Sequence, residues 1–472
     1  MPGKRVVLFS DIKGRDGYAS VFFPLSTMAV GATLKGLGLD VTIIDAQVSP
    51  DWEEIVRSTA ADLLFFGVSA LTGPSLGSAL DAVQLLRQLT PDTPVVWGGY
   101  HATHSYPALF AEKLADYVVR GAGELAVPGL VKALRTENRT SLDRLLEQVP
   151  NLAWQRADGS IAVTQRRKVG TMDVIPPLDY SLVDVETYLA ANGRELHTIT
   201  SYGCPHACTF CVEPSQSLRR WRGLDAELVV DRIVELASTH RPALISIQDP
   251  NFSSDPRRVM EITELLIEAD TGVELRCDMR AKDVIRLAEL MSLSELPKAG
   301  FTSIFIGLES GSDRLLKVLR KGSTAQEAWA ACAALDEAGV TTLTSFMHDI
   351  PGETPDDSDK TFALLERLGP LELNNQRHHF FVPYPATPLF EELAAASQQF
   401  SGWTQRQWSE TGTYWGSSVW PGRTEFRRRV ITRLRALQRR FPHSLEDSGL
   451  PQLERPHSTP AALDQHFVQS GN

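Results

Sequence analysis

Thr200-Ser-Tyr-Gly-Cys204-Pro-His-Ala-Cys208-Thr-Phe-Cys211 carries three of the chain's five cysteines, spaced C-x3-C-x2-C. Thiolates this close on one loop can grip a cluster or an ion without distant segments closing first. The count narrows the choice. A closed structural zinc site takes four ligands, whereas a [4Fe–4S] cube held by three cysteines leaves one iron open. His206 as a fourth zinc ligand would need a strained closure inside the short loop. A redox disulfide would need only a C-x2-C pair, which occurs in many settings.

Working outward, the loop follows a β-rich run, His197-Thr-Ile-Thr-Ser-Tyr202, that begins a β/α series. Apolar runs predict strands at 197–202, 243–248, 273–277, 303–307, 341–346 and 378–382, separated by helical stretches. This is the pattern of a partial (β/α)6 TIM-like barrel, whose chemistry sits at the carboxyl ends of the strands. The cysteine spacing, Phe210 before the last cysteine and this position together resemble the radical SAM superfamily. In that family the cluster passes an electron to S-adenosylmethionine (SAM), cleaving it to methionine and a 5′-deoxyadenosyl radical.

The resemblance implies residue roles. Cys204, Cys208 and Cys211 would hold the cluster, with Phe210 near the adenine. Gln248 and Asp249 would take the SAM amino group, and Arg280 its carboxylate through a planar fork. Glu309, followed by Ser310 in Gly307-Leu-Glu309-Ser310-Gly311, would hold the ribose hydroxyls. Any one of these alone reads as a solvated strand-end residue; their order along successive strands argues for a set. Candidate catalytic residues facing the substrate are Asp349, where the family usually has glycine, and Arg377, His378 and His379. Asp349 reads about as well as a helix cap or loop contact. Neighbouring histidines on a strand point to opposite faces, so one of the pair faces the lumen and the other packs outside.

Residues 1–140 alternate strand and helix as a doubly wound, Rossmann-like α/β domain, with short apolar strands such as Arg5–Phe9 and Asp40–Ile44. Ligands of such sheets lie beyond the carboxyl ends of the strands. Those ends carry Ser10, Asp11, Asp45, Ser69 to Thr72, Gly98, Gly99, Tyr100, His101 and Gly121. Residues 36–46, 98–103 and 116–124 (GLGLDVTIIDA, GGYHAT, DYVVRGAGE) resemble the cobalamin-binding domain found ahead of many radical SAM modules. The resemblance implies cobalamin contacts from Ser10, Asp11, Ser69, Thr72, Gly98, Gly99, Tyr100, His101 and Gly121. Ala122 stands where that family usually has an acid.

The Asp-x-His-x-x-Gly motif that ligates cobalt in another branch is approached only by Asp464-Gln-His466-Phe-Val-Gln469, which lacks the glycine. No histidine ligand to cobalt is expected. His101 and His104 read weakly as a metal pair and better as corrin or structural contacts. The bland alternative is a doubly wound domain that has lost its corrin. The absence of cysteine before residue 204 excludes the methylthiotransferase branch, whose first domain needs three.

Residues 141–195 read as a connector, 196–395 as the barrel, and 396–472 as a small, mostly helical C-terminal region and tail. Trp403, Trp408, Tyr414, Trp415 and Trp420 would roof the site or, more plainly, form a small core on the barrel. Phe426, Val430, Leu434, Leu437 and Phe441 form an apolar stripe on an arginine-rich helix.

A net charge of −11 argues against nucleic acid as the main partner. No apolar run reaches the ~20 residues of a membrane span, and five cysteines form no disulfide framework. The expected setting is the reducing cytoplasm. The chain resembles cobalamin-dependent radical SAM enzymes, which implies three cofactors: a [4Fe–4S] cluster, SAM and cobalamin. It also implies an electron donor of flavodoxin or ferredoxin type, while the lumen candidates Asp349, Arg377 and His378 or His379 suggest a small polar substrate. The leading expectation is methylation of an unactivated carbon or phosphorus, through methylcobalamin and the 5′-deoxyadenosyl radical. The alternatives are ring contraction, cyclisation or a sulfur or oxygen rearrangement, and a non-catalytic corrinoid or cluster sensor.

Overall fold

The computed structural model describes residues 5–12, 21–136, 139–397, 400–411 and 423–445. Tyr414, Trp415, Trp420 and the Asp464–Gln469 run lie outside the described residues.

The first sheet comprises β1 (Arg5–Ser10), β2 (Asp40–Asp45), β3 (Leu63–Ser69), β4 (Val95–Gly98), β5 (Tyr117–Val119), β6 (Leu152–Gln155) and β7 (Ile161–Val163). Its order is 2-1-3-4-5-6-7, with the first five strands parallel and the last two antiparallel. Both faces are covered, and the pleat of β1 shows why its run is continuously apolar. Val7 and Phe9 enter one core with Leu76, Leu80 and Trp97, while Val6 and Leu8 enter the other with Leu34, Val127 and Leu130. The strand order reverses between β1 and β3, the place where such sheets open a ligand crevice. The hairpin β6–β7 falls in the stretch read as a connector, yet it extends this sheet.

The barrel follows as β8 (Glu195–Thr198), a short antiparallel clip of β9 (Ser201–Tyr202) with β10 (Arg222–Gly223), then β11 (Leu244–Ile247), β12 (Glu274–Asp278), β13 (Phe301–Glu309), β14 (Thr341–His348) and β15 (Asn374–Phe380). Its six long strands are all parallel and stand in the order 8-11-12-13-14-15. Helices wrap the outer face, where Ile304, Ile306, Leu308 and Phe346 are buried with Phe362 and Leu365. Helix Thr424–Arg440 lays Val430, Ile431, Leu434 and Leu437 on that same core.

Trp403 and Trp408 pack with Phe390 and Phe400 at ring separations of 4.9 to 5.8 Å. They join a core shared by the first domain and the barrel's last strands. Among the described residues no helix is long and apolar enough to cross a membrane.

Candidate active site

The cysteine loop is shaped from behind. Gly203 has φ +82, and a Cβ there would stand 2.0 Å from the Arg220 carbonyl oxygen. Only glycine fits that approach. The Cys204 N–H donates to Ser217 Oγ at 3.5 Å, the Glu213 N–H donates to Cys211 Sγ at 3.5 Å, and Arg280 Nη1 lies 3.6 Å from Cys208 Sγ. Burial pushes the Cys204 thiol up and the Cys211 thiol up to about 12. Metal coordination reverses that preference, because a ligating thiol is deprotonated outright. Among the described residues no three His, Cys, Asp or Glu side chains converge as ligands of a single ion. Three thiols on one loop, with a guanidinium beside the Cys208 sulfur, are a donor set whose chemistry fits an iron–sulfur cluster and an anionic ligand next to it.

Asp249 departs from its expected role at the SAM amino group. It is 1% exposed and accepts from the Thr200 and Ser201 N–H groups at 2.6 and 2.9 Å and from their hydroxyls at 2.6 and 2.7 Å. Arg258 closes the arrangement through the Thr200 carbonyl at 3.0 Å and hydroxyl at 2.9 Å. The carboxylate's acceptor sites are spent on the backbone leading into the cysteines. Ser310 is also turned away, since its hydroxyl pairs with Thr361 Oγ1 at 3.0 Å and accepts from the Ser312 N–H. Gln248 is exposed at the mouth, with Nε2 on Ser246 Oγ at 2.8 Å.

Glu309 sits at φ +67 and pairs with Lys321 Nζ at 2.9 Å. Lys321 Nζ lies 5.9 Å from the Phe210 ring centre, and the Lys321 carbonyl accepts from Arg280. Phe210, Glu309 and Arg280 are thus gathered around one lysine. Nothing in the sequence pattern pointed to Lys321, which stands on a loop beyond the helix that follows Glu309.

Two of the four proposed catalytic residues face elsewhere. The Asp349 side chain is 0% exposed and bound by Arg423 at 3.1 Å and Arg427 at 2.5 Å, both from the C-terminal arginine-rich segment. His378 stacks on Phe346 and meets His348 Nε2 through Nδ1 at 3.1 Å, on the outer, helix-covered face. Arg377 and His379 alternate with it on the opposite face, half-buried, with His379 Nδ1 3.5 Å from Ser345 Oγ.

A cavity of about 320 Å³ joins the two domains. From the first domain it is lined by Leu8, Val30, Phe65, Ser69, Gly98, Gly99 and Gly121, and from the barrel by Ser201, Tyr202, Gly203, Glu213 and Gln248. Gly98 presents an open spot there, since a Cβ on it would meet nothing within 4 Å. The glycine row and apolar floor fit a broad, largely apolar ring system laid across the strand ends. Glu213, two residues after the last cysteine, has its carboxyl pushed up to about 7 by burial. Its adjacency to Cys211 was the signal that could have flagged it.

Other expected corrin contacts are used elsewhere. Thr72 and Gln405 hold His101 from both sides at 3.0 and 2.6 Å. Burial lowers the His101 pKa to about 4, so the ring is a neutral tie between the two side chains. Tyr100 donates to the Pro385 carbonyl, and Asp11 accepts from Ser78. Ser10 is buried with its hydroxyl unpartnered among the described residues. His104 Nε2 lies 3.0 Å from Ser215 Oγ, tying the first domain to the stretch after the cysteines.

The two halves of this site each match a known family model: the Radical SAM superfamily over residues 198–365 and the B12 binding domain over residues 17–131. The chain belongs to the cobalamin-dependent radical SAM enzymes. An anaerobic magnesium-protoporphyrin IX monomethyl ester cyclase of Rubrivivax gelatinosus is 28% identical over 76% of this chain. That match spans 64% of the cyclase, under two thirds of its length. An uncharacterized methyltransferase of Pyrococcus horikoshii is 26% identical over 78% of this chain and 80% of its own. The radical SAM methyltransferase TsrM of Kitasatospora setae, solved with tryptophan substrate and a SAM analogue, shares the fold with a TM-score of 0.71 at 18% identity, covering 96% of this chain and 92% of that one. As a cobalamin-dependent radical SAM enzyme, the protein takes a [4Fe–4S] cluster, SAM and cobalamin.

Proposed function

We propose that this enzyme methylates an unactivated carbon, or phosphorus, of a small polar metabolite held between its two domains. The observation that carries the reading is the cavity lined by Gly98, Gly99 and Gly121 on one side and by Tyr202, Gly203 and Gln248 on the other. When bound, the cofactors supply a hydrogen-abstracting radical and a methyl donor. The chain's part is to keep them apart while exposing both to one substrate atom. Cys204, Cys208 and Cys211 hold the cluster. Arg280 takes the SAM carboxylate, Glu309 braced by Lys321 takes the ribose, and Phe210 covers the adenine. Arg377 and His379 contact the substrate from the lumen face.

The cyclase of Rubrivivax gelatinosus favours a second reading with the same cofactors, in which the substrate radical closes a ring instead of accepting methyl. Anaerobic turnover with SAM, reductant and hydroxocobalamin, followed by mass spectrometry, separates the two. S-adenosylhomocysteine together with 5′-deoxyadenosine supports methyl transfer. 5′-Deoxyadenosine alone favours the ring-closing reading, and neither product refutes both.

A further inference from the structure

We propose that the basic face made by residues 166–168 and 219–222 is the docking surface for a small acidic electron-carrier protein that reduces the cluster. The inference rests on the radical SAM reading of the cysteine loop. In a chain of net charge −11, these two short segments hold Arg166, Arg167, Lys168, Arg219, Arg220 and Arg222 and no carboxylate. They form one surface: Arg166 Nη2 donates to the Gln216 carbonyl at 2.8 Å, and the Arg222 guanidinium donates to the Gly170 carbonyl. Arg167, Lys168, Arg219 and Arg220 are exposed, and among the described residues none has an ion-pair partner. The arginines of the C-terminal helix differ, since Arg427, Arg428, Arg429 and Arg433 each meet an acid.

The second segment is the direct backing of the cluster loop. Ser217 Oγ accepts from the Cys204 N–H, and the Arg220 carbonyl occupies the space beside Gly203. Leu218 and Arg219 hold φ values of +55 and +57, a conformation non-glycine residues rarely adopt, so the turn that displays the guanidiniums is itself sharply shaped. A carrier drawn to this face by its negative charge would stand one loop away from a cluster ligand. The reaction needs no more than that: one electron leaves the carrier's reduced flavin or iron–sulfur centre and enters the cluster, with no proton or group transferred. Transient redox partners use small, charge-steered interfaces.

The test uses the reconstituted protein, a photoreduced flavodoxin of net negative charge, and electron paramagnetic resonance of the reduced cluster. Arg219→Glu with Arg220→Glu should slow reduction by flavodoxin about tenfold at low ionic strength, with the gap closing as salt is added. Reduction by dithionite should be unchanged. Arg428→Glu with Arg429→Glu makes the same change in net charge elsewhere and should leave the flavodoxin rate near that of the parent. The proposal is overturned if the first variant matches the parent, if the control slows equally, if dithionite reduction falls too, or if flavodoxin does not reduce the parent. Failure of the underlying reading looks different: the parent protein would hold no iron–sulfur cluster.

Discussion

Asp249→Asn tests whether the residue after β11 braces the cysteine loop or binds SAM. The carboxylate accepts four hydrogen bonds from Thr200 and Ser201, all between 2.6 and 2.9 Å. An amide keeps the shape, but one end becomes a donor facing donors, so about half of those bonds are lost in a buried site. Bonds to a charged acceptor are worth roughly 1.5–3 kcal/mol each and add imperfectly. The expected loss is about 3 kcal/mol, which lowers the melting temperature of a barrel of this size by roughly 6–12 °C. Iron and sulfide retained after anaerobic reconstitution should fall with it, because the strand leading to Cys204 is no longer pinned. The assay is a thermal melt of the cluster-free chain beside iron and sulfide analysis. An unchanged melt and full cluster loading, with only SAM affinity reduced, would refute the bracing role and return Asp249 to the SAM site.

Gly98→Leu places a side chain in the open spot of the cavity; cobalamin bound after reconstitution should fall at least tenfold while iron content stays level, read from the visible spectrum and metal analysis. Asp349→Asn should cost about 3–5 kcal/mol by leaving Arg423 and Arg427 without their buried partner, yet 5′-deoxyadenosine formed per folded molecule should match the parent. A catalytic Asp349 would show the reverse. Asp45, buried against Tyr188 at 2.7 Å, has its pKa raised to about 6 from 3.8, mainly by burial. Its contribution is full below pH 4 and is lost as pH rises through 6, a change of about 3 kcal/mol. Melts of the parent should therefore fall between pH 4 and 7 relative to Asp45→Asn, and parallel curves would rule this out.

The cysteine loop and the βα order were legible because both are local patterns, three thiols within eight residues and short apolar runs at regular intervals. What was not legible depends on partners far along the chain. The alternation of His378 and His379 was plain, but which one turns inward follows from the start of β15 at Asn374 and from Phe346 and His348 on the neighbouring strand. Asp349 read about equally as a carboxylate facing a substrate and as a cap or loop contact; its arginines lie 74 and 78 positions later, at the start of a helix whose docking no local spacing reveals. The β6–β7 hairpin lies in the stretch read as a connector, and its destination at the edge of the first sheet depends on pairing with β5, which no local spacing shows. Tyr100 and His101 sit beside the glycines that line the cavity, and the first turn of their helix rotates them toward Pro385 and Gln405 instead.

The bond between His101 and Gln405 joins positions 304 apart in sequence. The short helix holding Gln405 rests on the helix Pro74–Leu89, so a segment beyond the barrel works as a buckle drawn back over the first domain. During synthesis the first domain emerges long before that buckle can fasten. The first domain therefore reaches its final packing only after the barrel has been made, since Gln405 must be in place before it can hold His101.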